Sequence, residues 1–490
     1  MRIFNFLNHT TFMKAFENDL VLNGDRIIEH QPAISDKTLR LNLNKNIYGT
    51  FSEIGAGQET VRHFFRSGGS SRTIAKAMSA YDKQFSDAIY STESDGRYVT
   101  ESRLKKMLDH ETRLMEERLD RNENPERVYF SYANTVATID FAKKFKGHGW
   151  VGIRFQSNPS GHYNEIILHI QFKENDVQLQ QQTLGILGVN LIYGAFYQNN
   201  NPKKLIEHLY DHLDKDQLEI DTINFSGPDF KDVDNRLMSL FLVKNKMADA
   251  VMFAPNGKNI LPANTFFRKN ILVLRGSFRP VTVVNMNMYE NSLKQFLKRN
   301  DLSDNETTVI FEMTLNNLLK EGEIDEQDFI DRAELLCSLG QTVMISNFRE
   351  YYKVVDYLAQ YSNEKIGLTI GASNLLDIFD ETYYKHLNGG IFEALGRLFN
   401  RSLEIYVYPS KENQLIINTQ NLKVRDSKYQ VLYDFFKNQN QMVDISEYNE
   451  TNLNVFSHEV LEKIRKNESD WEKYLPESVS KIIKEKKLFV

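Results

Sequence analysis

The sequence has little cysteine or proline and no long apolar run. One cysteine among 490 residues, Cys337, excludes an internal disulfide framework and a zinc site built from several cysteines. Ten prolines argue against long disordered linkers, and no apolar run approaches the ~18 residues of a membrane span. The first residues soon turn polar and lack the apolar core of a secretory signal. We therefore expect a cytoplasmic, reduced protein without a membrane span.

An excess of positive charge is also missing. Lysine and arginine number 60 against 66 aspartates and glutamates, which leaves a formal net charge of −6. This balance does not provide the positive field of a protein that coats nucleic acid, so we expect no nucleic-acid partner. Hydrophobic residues make up 41% and charged residues 26%, which is ordinary for a globular protein with a sizeable core.

Three regions of the chain differ in pattern. Residues 1–148 carry helical spacing of apolar residues, for example over 102–120, and are predicted to form a mostly helical N-terminal domain. In residues 149–409, short apolar strands alternate with amphipathic segments, which predicts an α/β domain with a parallel sheet covered by helices. Roughly eight repeats favour a closed (β/α)8 barrel, although a doubly wound open sheet stays open as an alternative. Residues 410–490 are expected to be a small α-rich C-terminal extension.

The strongest candidate site follows one predicted strand. In a barrel the functional side chains lie at the carboxyl ends of the strands. Arg275, Ser277 and Arg279, with a glycine between, can bind a phosphate or carboxylate through their guanidinium groups and the hydroxyl. The alternative is that an arginine neutralises Glu312 or Asp221 inside the scaffold. Glu312 ends an apolar strand and is the candidate general acid or base.

Further candidates lie along or near other predicted strands. Arg154 is either an anion ligand or half of a structural ion pair. His169 alternates with apolar residues and is either a proton carrier or a buried core histidine. Asn285 and Asn347 are expected to orient a substrate. No spacing of histidines, cysteines or carboxylates fits a metal site, so no metal is predicted, and the sequence does not indicate a cofactor.

The segment 68–76 has the composition of a phosphate cradle. It combines two glycines and two serines with Arg72 and Lys76. It lacks the order G-x-x-x-x-G-K-[ST] of a P-loop. A glycine turn with a serine or threonine N-cap therefore explains it better.

Several stretches together resemble a known family. They are the run FSEIGAGQE at 51–59 and the segments 73–90, 185–196, 225–240 and 275–285. They are similar to a large bacterial family whose members carry the label nicotinate- or nicotinamide-mononucleotide adenylyltransferase, or sometimes TonB-dependent receptor. The resemblance extends over nearly the whole chain, including 456–489.

The two labels imply motifs that this sequence does not contain. The adenylyltransferases use a His-x-Gly-His motif near the start of the chain, and the nearest match here, Gly147-His148-Gly149-Trp150, lacks the second histidine and lies far from the start. A TonB-dependent receptor implies a signal peptide and many strands of alternating polarity. The resemblance therefore supplies a family but no catalytic residue to transfer.

Two functions follow from these residues. The first is an α/β protein that binds an anionic small molecule, phosphorylated or carboxylated and with nucleotides included. As an enzyme it would hold the anion with Arg154, Arg275 and Arg279 and move protons with Glu312 and His169. The alternative is a non-catalytic, self-assembling scaffold whose helical ends contact neighbouring subunits in oligomers or filaments. A homo-oligomer is expected in either case.

Overall fold

The computed structural model describes residues 20–23, 26–29, 31–93, 96–320, 323–399, 403–412 and 414–489. The chain divides into two units, and the division lies within one strand. The first unit comprises Met1–Leu218 and Phe225–Asp232, and the second comprises Glu219–Asn224 and Val233–Val490. The domain boundaries predicted from the sequence, after residues 148 and 409, lie elsewhere.

The first unit alternates strands and helices. Its strands are β1 (Leu20–Asn23), β2 (Arg26–Glu29), β3 (Ile47–Ile54), β4 (Ile74–Met78), β5 (Val128–Ala137), β6 (His148–Gln156) and β7 (Tyr163–Phe172). Its helices are α1 (Ile34–Leu43), α2 (Glu59–Ser67), α3 (Lys83–Tyr90), α4 (Glu101–Arg118), α5 (Val177–Tyr197) and α6 (Pro202–His208). Strand β8 (Leu218–Ser226) then crosses the division between the units.

The large sheet of this unit is mixed. β3 pairs in parallel with both β4 and β5, and β5, β6 and β7 then pair antiparallel. The helix expected over 102–120 is confirmed as α4. Residues 1–148 nevertheless contain the strands β1 to β5 as well as the helices α1 to α4, so this region is α/β rather than mostly helical. β5 was not predicted because its buried positions include the polar residues Ser131, Asn134 and Thr135, which interrupt the apolar run typical of a strand buried on both faces.

The second unit carries most of the remaining elements. Its further strands are β9 (Ala250–Phe253), β10 (Asn259–Ile260), β11 (Asn270–Arg275), β12 (Thr307–Thr314), β13 (Leu319–Lys320), β14 (Glu323–Ile324), β15 (Thr342–Ser346), β16 (Ile366–Gly371), β17 (Leu403–Tyr408), β18 (Ser410–Glu412), β19 (Leu415–Ile417) and β20 (Met442–Asp444). Its helices are α7 (Asn235–Lys244), α8 (Pro262–Thr265), α9 (Val283–Asn300), α10 (Leu315–Leu318), α11 (Glu326–Ser338), α12 (Tyr351–Leu358), α13 (Ala372–Ile378), α14 (Gly390–Phe399), α15 (Gln430–Asn438), α16 (Ser457–Arg465) and α17 (Glu477–Lys486).

The eight-stranded sheet of the second unit is open. Its strand order is β10-β9-β15-β12-β11-β16-β17-β20. The pairs from β15 through β20 are parallel, and β9 and β10 add an antiparallel edge. The expected (β/α)8 barrel is therefore wrong, since none of the sheets formed by the described residues closes on itself. Alternation of strands and helices is common to barrels and open sheets, so it could not decide between them.

The parallel strands are wound in two directions. The chain proceeds from β11 to β12 and β15 on one side, and then to β16, β17 and β20 on the other side of β11. The six strands thus stand in the order third, second, first, fourth, fifth, sixth, which is the doubly wound arrangement. β11 is apolar along nearly its whole length because helices cover both faces: Ile271, Leu272, Val273 and Leu274 are all buried.

A buried carboxyl group joins β3 to α2 in the first unit. Glu53 is fully buried near the end of β3, and its side chain accepts hydrogen bonds from the backbone nitrogens of Thr60 (3.2 Å) and Val61 (2.9 Å). The side-chain amide of Asn134 donates a third (3.2 Å). Burial raises the pKa of Glu53 to about 7, although the hydrogen bonds oppose the shift. The first turn of α2 therefore rests on a carboxyl group that is costly to ionise.

This arrangement predicts a pH dependence of stability. Because the pKa is raised from 4.5 to about 7, the folded protein binds more protons than the unfolded chain in that window, and the free energy of unfolding falls as the pH rises through it. Glu53→Gln removes this titration. Between pH 5 and pH 8 we expect the stability of the variant relative to wild type to improve by roughly 2–3 kcal/mol, as measured by urea unfolding. Glu117→Gln, at an exposed carboxylate, is the control, and parallel pH profiles for Glu53→Gln and wild type would contradict the assignment.

Candidate functional site

A cleft opens where the winding of the second sheet reverses. In doubly wound sheets, ligands bind outside the carboxyl ends of the strands at this point. Here β11 and β16 are the strands on either side of the reversal, and a cleft of about 470 Å³ lies at their carboxyl ends. It is lined by Arg275, Gly276, Ser277, Thr314, Asn316, Asn317, Arg349, Glu350, Tyr351, Asn374, Asp377, Tyr383 and Tyr384.

A buried ion pair forms one wall of this cleft. Arg275 and Glu312 are register partners on the adjacent strands β11 and β12. The Arg275 Nε and Nη2 atoms donate to the two carboxylate oxygens of Glu312, each at 2.8 Å. Ser346, at the end of β15, donates its hydroxyl to the same carboxylate at 2.6 Å. The structure thus realises the alternative in which an arginine neutralises Glu312 inside the scaffold.

The ion pair holds Arg275 in place and leaves Glu312 poorly suited to carry protons. Burial acts to lower the pKa of Arg275, but the charge and hydrogen bonds of Glu312 outweigh it and leave that pKa above the ordinary value. The guanidinium also lies 4.6 Å from the ring centroid of Tyr351 and donates to the backbone oxygen of Arg349 at 3.3 Å. Both oxygens of Glu312 already accept hydrogen bonds, so its position suits holding Arg275 better than general acid or base work.

Arg349 is the cation of the cleft wall that keeps its charge uncompensated. Its side chain is exposed, its guanidinium lies 5.0 Å from the ring centroid of Tyr383, and it forms no ion pair with any side chain that the structure describes. It also lines an adjoining cleft of about 300 Å³ together with Asn347. Sequence analysis missed Arg349, although it follows the end of β15 by three residues and the strand-end rule could have found it.

The acidic residues of the cleft have cations of their own. Glu350 pairs with Lys353 at 2.8 Å, and Asp377 pairs with Arg425 at 3.0 Å. In the described part of the chain, neither carboxylate forms an ion pair with Arg349. Burial raises the pKa of Tyr351, and Asn374 donates to its hydroxyl at 3.5 Å. Within the described residues, the cleft combines one guanidinium that has no ion pair with several amides and phenols.

Ser277 and Asn347 lie at the clefts as expected, but Arg154, Arg279 and Asn285 do not. Ser277 lines the main cleft and Asn347 the adjoining one. Arg279 instead bonds to the carboxylate of Asp328, which also pairs with Arg332 on α11. This cluster secures α11 to the loop after β11, because Arg332 donates to the backbone oxygen of Ser277 at 3.1 Å.

Asn285 has a capping role at the start of α9. Its side-chain oxygen accepts hydrogen bonds from the backbone nitrogen of Thr282 at 2.9 Å and from the Thr282 hydroxyl at 3.1 Å. This is one half of a capping box, which satisfies backbone donors that a helix start leaves free. The amide is therefore engaged in the local structure of the helix.

Arg154 and His169 belong to the first unit, and each has partners there. Arg154 pairs with Glu165, its register partner on β7, and with Asp109 on α4. His169 is buried, and its Nε2 lies 3.3 Å from Nδ1 of His148. The structure thus shows the ion-pair alternative for Arg154 and the buried alternative for His169.

Three further features would indicate a function: a metal site, a membrane-spanning helix and a reactive cysteine. Among the described residues, no three or more His, Cys, Asp or Glu side chains gather in a way that could hold a metal ion. In the same part of the chain no helix is long and apolar enough to cross a bilayer. Cys337 is buried, and burial raises the pKa of its thiol, which disfavours the reactive thiolate.

The geometry predicts that Glu312→Gln destabilises the second unit. The substitution leaves Arg275 buried without its counter-charge, which typically costs about 3–5 kcal/mol. Ser346→Ala removes a hydrogen bond to the Glu312 carboxylate but no charge, and it is expected to cost about 1.5–3 kcal/mol, less than Glu312→Gln. The double variant Arg275→Met/Glu312→Gln should lose less than the sum of its single variants, because it leaves no unpaired charge. Urea unfolding of wild type, Glu312→Gln, Arg275→Met, Ser346→Ala and the double variant measures these costs, and a cost for Glu312→Gln no greater than that of Ser346→Ala would contradict the ion-pair account.

Comparison with known proteins adds little to this geometry. No protein family and no curated protein matches the chain. Among solved structures, a CinA superfamily protein from Enterobacter cloacae is 10% identical, covers 36% of this chain and 99% of its own, and has a TM-score of 0.25. A competence or damage-inducible protein from Enterobacter asburiae gives the same identity and TM-score over 34% and 98%. A CinA superfamily protein from Escherichia coli is 15% identical over 35% and 91%, with a TM-score of 0.23. Likenesses this weak fix neither fold nor function and bear on neither label that the sequence resemblance suggested.

Proposed function

We propose that the second unit binds a small anionic molecule in the cleft between the ends of β11 and β16, with Arg349 as the residue that pairs with its phosphate or carboxylate group. The observation that carries this proposal is the exposed guanidinium of Arg349, which has no acidic partner among the described side chains and lies at the reversal point of a doubly wound sheet. A planar guanidinium can donate two hydrogen bonds to either kind of group.

The other lining residues suit an organic anion better than a bare ion. Asn316 and Asn374 present exposed amides that can bind neutral polar groups. Tyr383 provides an aromatic ring beside Arg349, and a ring of this kind can stack on a nucleobase. A cleft of about 470 Å³ is also within the range of small-molecule sites. A nucleotide, with one phosphate and one base, fits this combination.

The proposed function is ligand binding. Arg275 forms a fixed part of the cleft wall, and Glu312 holds it in place. Acid or base catalysis finds less support, because Glu312 is fully engaged with Arg275 and Ser346. Self-assembly into oligomers or filaments and a cytoplasmic location stay predictions from the sequence. Light scattering of the purified protein measures whether it self-assembles.

Arg349→Ala is expected to weaken the binding of adenosine 5′-monophosphate by about tenfold or more, since a hydrogen bond to a charged group contributes about 1.5–3 kcal/mol. Isothermal titration calorimetry measures the affinity, with citrate as a carboxylate probe and adenosine as the probe without a phosphate. Arg268→Ala is the matched control. Arg268 is also exposed, lies 5.1 Å from the ring centroid of Phe267 and has no ion pair among the described residues, but it does not line the cleft.

Three results would count against the proposal. One is a wild-type protein that binds neither adenosine 5′-monophosphate nor citrate. Another is an equal loss of affinity in Arg349→Ala and Arg268→Ala, which would indicate a general effect of surface charge. The third is unchanged affinity in Arg349→Ala, which would place the anion elsewhere.

A further inference from the structure

A second cluster of cations lies in the first unit, at the amino ends of three adjacent strands. β3 pairs in parallel with β4 on one side and with β5 on the other. Lys45, Arg72 and Arg127 each precede one of these strands by no more than two residues. Because parallel strands begin at the same edge of a sheet, the topology brings the three cations together. Their proximity follows from the backbone and does not depend on a particular side-chain rotamer.

These cations line a cleft and have no acidic partner among the residues that the structure describes. The cleft measures about 420 Å³, and its lining also includes Asn46, Asn124, Pro125 and Glu126. Lys45 and Arg72 are exposed, and the Arg127 guanidinium lies 4.4 Å from the ring centroid of Tyr48. None of the three forms an ion pair with a side chain in the described part of the chain. Three cations against the single carboxylate of Glu126 leave the lining with excess positive charge.

The backbone around Arg72 is well anchored. Gly69 has a φ of 73°, a left-handed conformation that favours glycine, and it starts the short turn Ser70–Arg72. Thr73 is buried, its hydroxyl donates to the backbone oxygen of Asn42 at 3.2 Å, and its own backbone oxygen accepts from the Gly49 nitrogen at 2.9 Å. Arg72 therefore projects from a fixed position.

This geometry revises the phosphate cradle suggested by residues 68–76. Lys76, the lysine of that segment, pairs with the buried carboxylate of Glu111 at 2.6 Å and is not available to a ligand. The same segment supplies Arg72 to the cleft instead. The glycine turn that the sequence favoured for this segment is present, without a side-chain N-cap, and Arg72 at its end is the cation that lines the cleft.

We propose that this cleft is an anion site for a small molecule with a multiply charged phosphate group, such as a diphosphate. Two guanidiniums and one ammonium can neutralise two or more charges, and Asn46 and Asn124 add amide donors. A concave site of this volume takes one small molecule. The formal net charge of −6 disfavours the extended polyanion of a nucleic acid as the ligand. The site lies wholly in the first unit and does not depend on the Arg349 cleft.

The test uses sodium pyrophosphate as the probe and the full-length chain. Lys45→Gln/Arg72→Gln removes two exposed, unpaired cations and is expected to weaken pyrophosphate binding by about tenfold or more in isothermal titration calorimetry. Arg66→Gln/Lys144→Gln removes the same charge from exposed positions of the first unit outside the cleft and should keep the wild-type affinity. Thermal melting of both double variants verifies that they fold.

Arg349→Ala distinguishes this site from the proposed cleft of the second unit. We expect it to retain pyrophosphate binding at the first-unit site even if it loses adenosine 5′-monophosphate binding. The proposal is overturned if wild-type protein does not bind pyrophosphate, if the two double variants lose affinity equally, or if binding disappears in Arg349→Ala alone. It is also overturned if a single-stranded RNA oligonucleotide binds through Lys45 and Arg72 whereas pyrophosphate does not.

Discussion

The ion pair between Arg275 and Glu312 determines what the second unit can do at its reversal point. The two side chains are register partners on β11 and β12, which come first in chain order among the six parallel strands. The pair is almost completely buried. A charge pair in that position is retained only when its hydrogen bonds are satisfied, which the bidentate contact and Ser346 achieve. With Arg275 held in this way, the unpaired charge of the cleft, among the described residues, is that of Arg349, three residues beyond the end of β15.

The sequence was most informative about elements and least informative about their order in space. The helical spacing over 102–120 predicted α4 because apolar residues repeat along one face. The strands that end at Arg275 and carry Glu312, β11 and β12, were also predicted, since parallel strands covered on both faces contain apolar runs such as 271–274. The reversal of winding beside β11 depends on long-range pairing, which leaves no local pattern, and the barrel expectation failed for that reason.

The outcome for the candidate residues has the same cause. The local sequence predicts which residues lie at strand ends, but not which strands are neighbours. Arg275, Ser277 and Glu312 meet at one edge because the strand-end rule holds for any parallel sheet, open or closed. Whether an arginine faces a ligand or an acid depends on which strand lies beside it. Arg154 and Arg279 were indistinguishable from Arg349 in sequence, yet each has a carboxylate partner and Arg349 has none among the described residues.

The division within β8 affects whether the two units can be produced as separate proteins. Glu219–Asn224 belongs to the second unit although Phe225–Asp232, which follows it, belongs to the first. Hydrogen bonds from the Asp249 backbone to Glu219 and from Asn259 to the Ile223 backbone hold that short stretch in place. No single cut of the polypeptide therefore yields both units whole: a cut after Leu218 deprives the first unit of Phe225–Asp232, and a cut after Asp232 deprives the second unit of Glu219–Asn224.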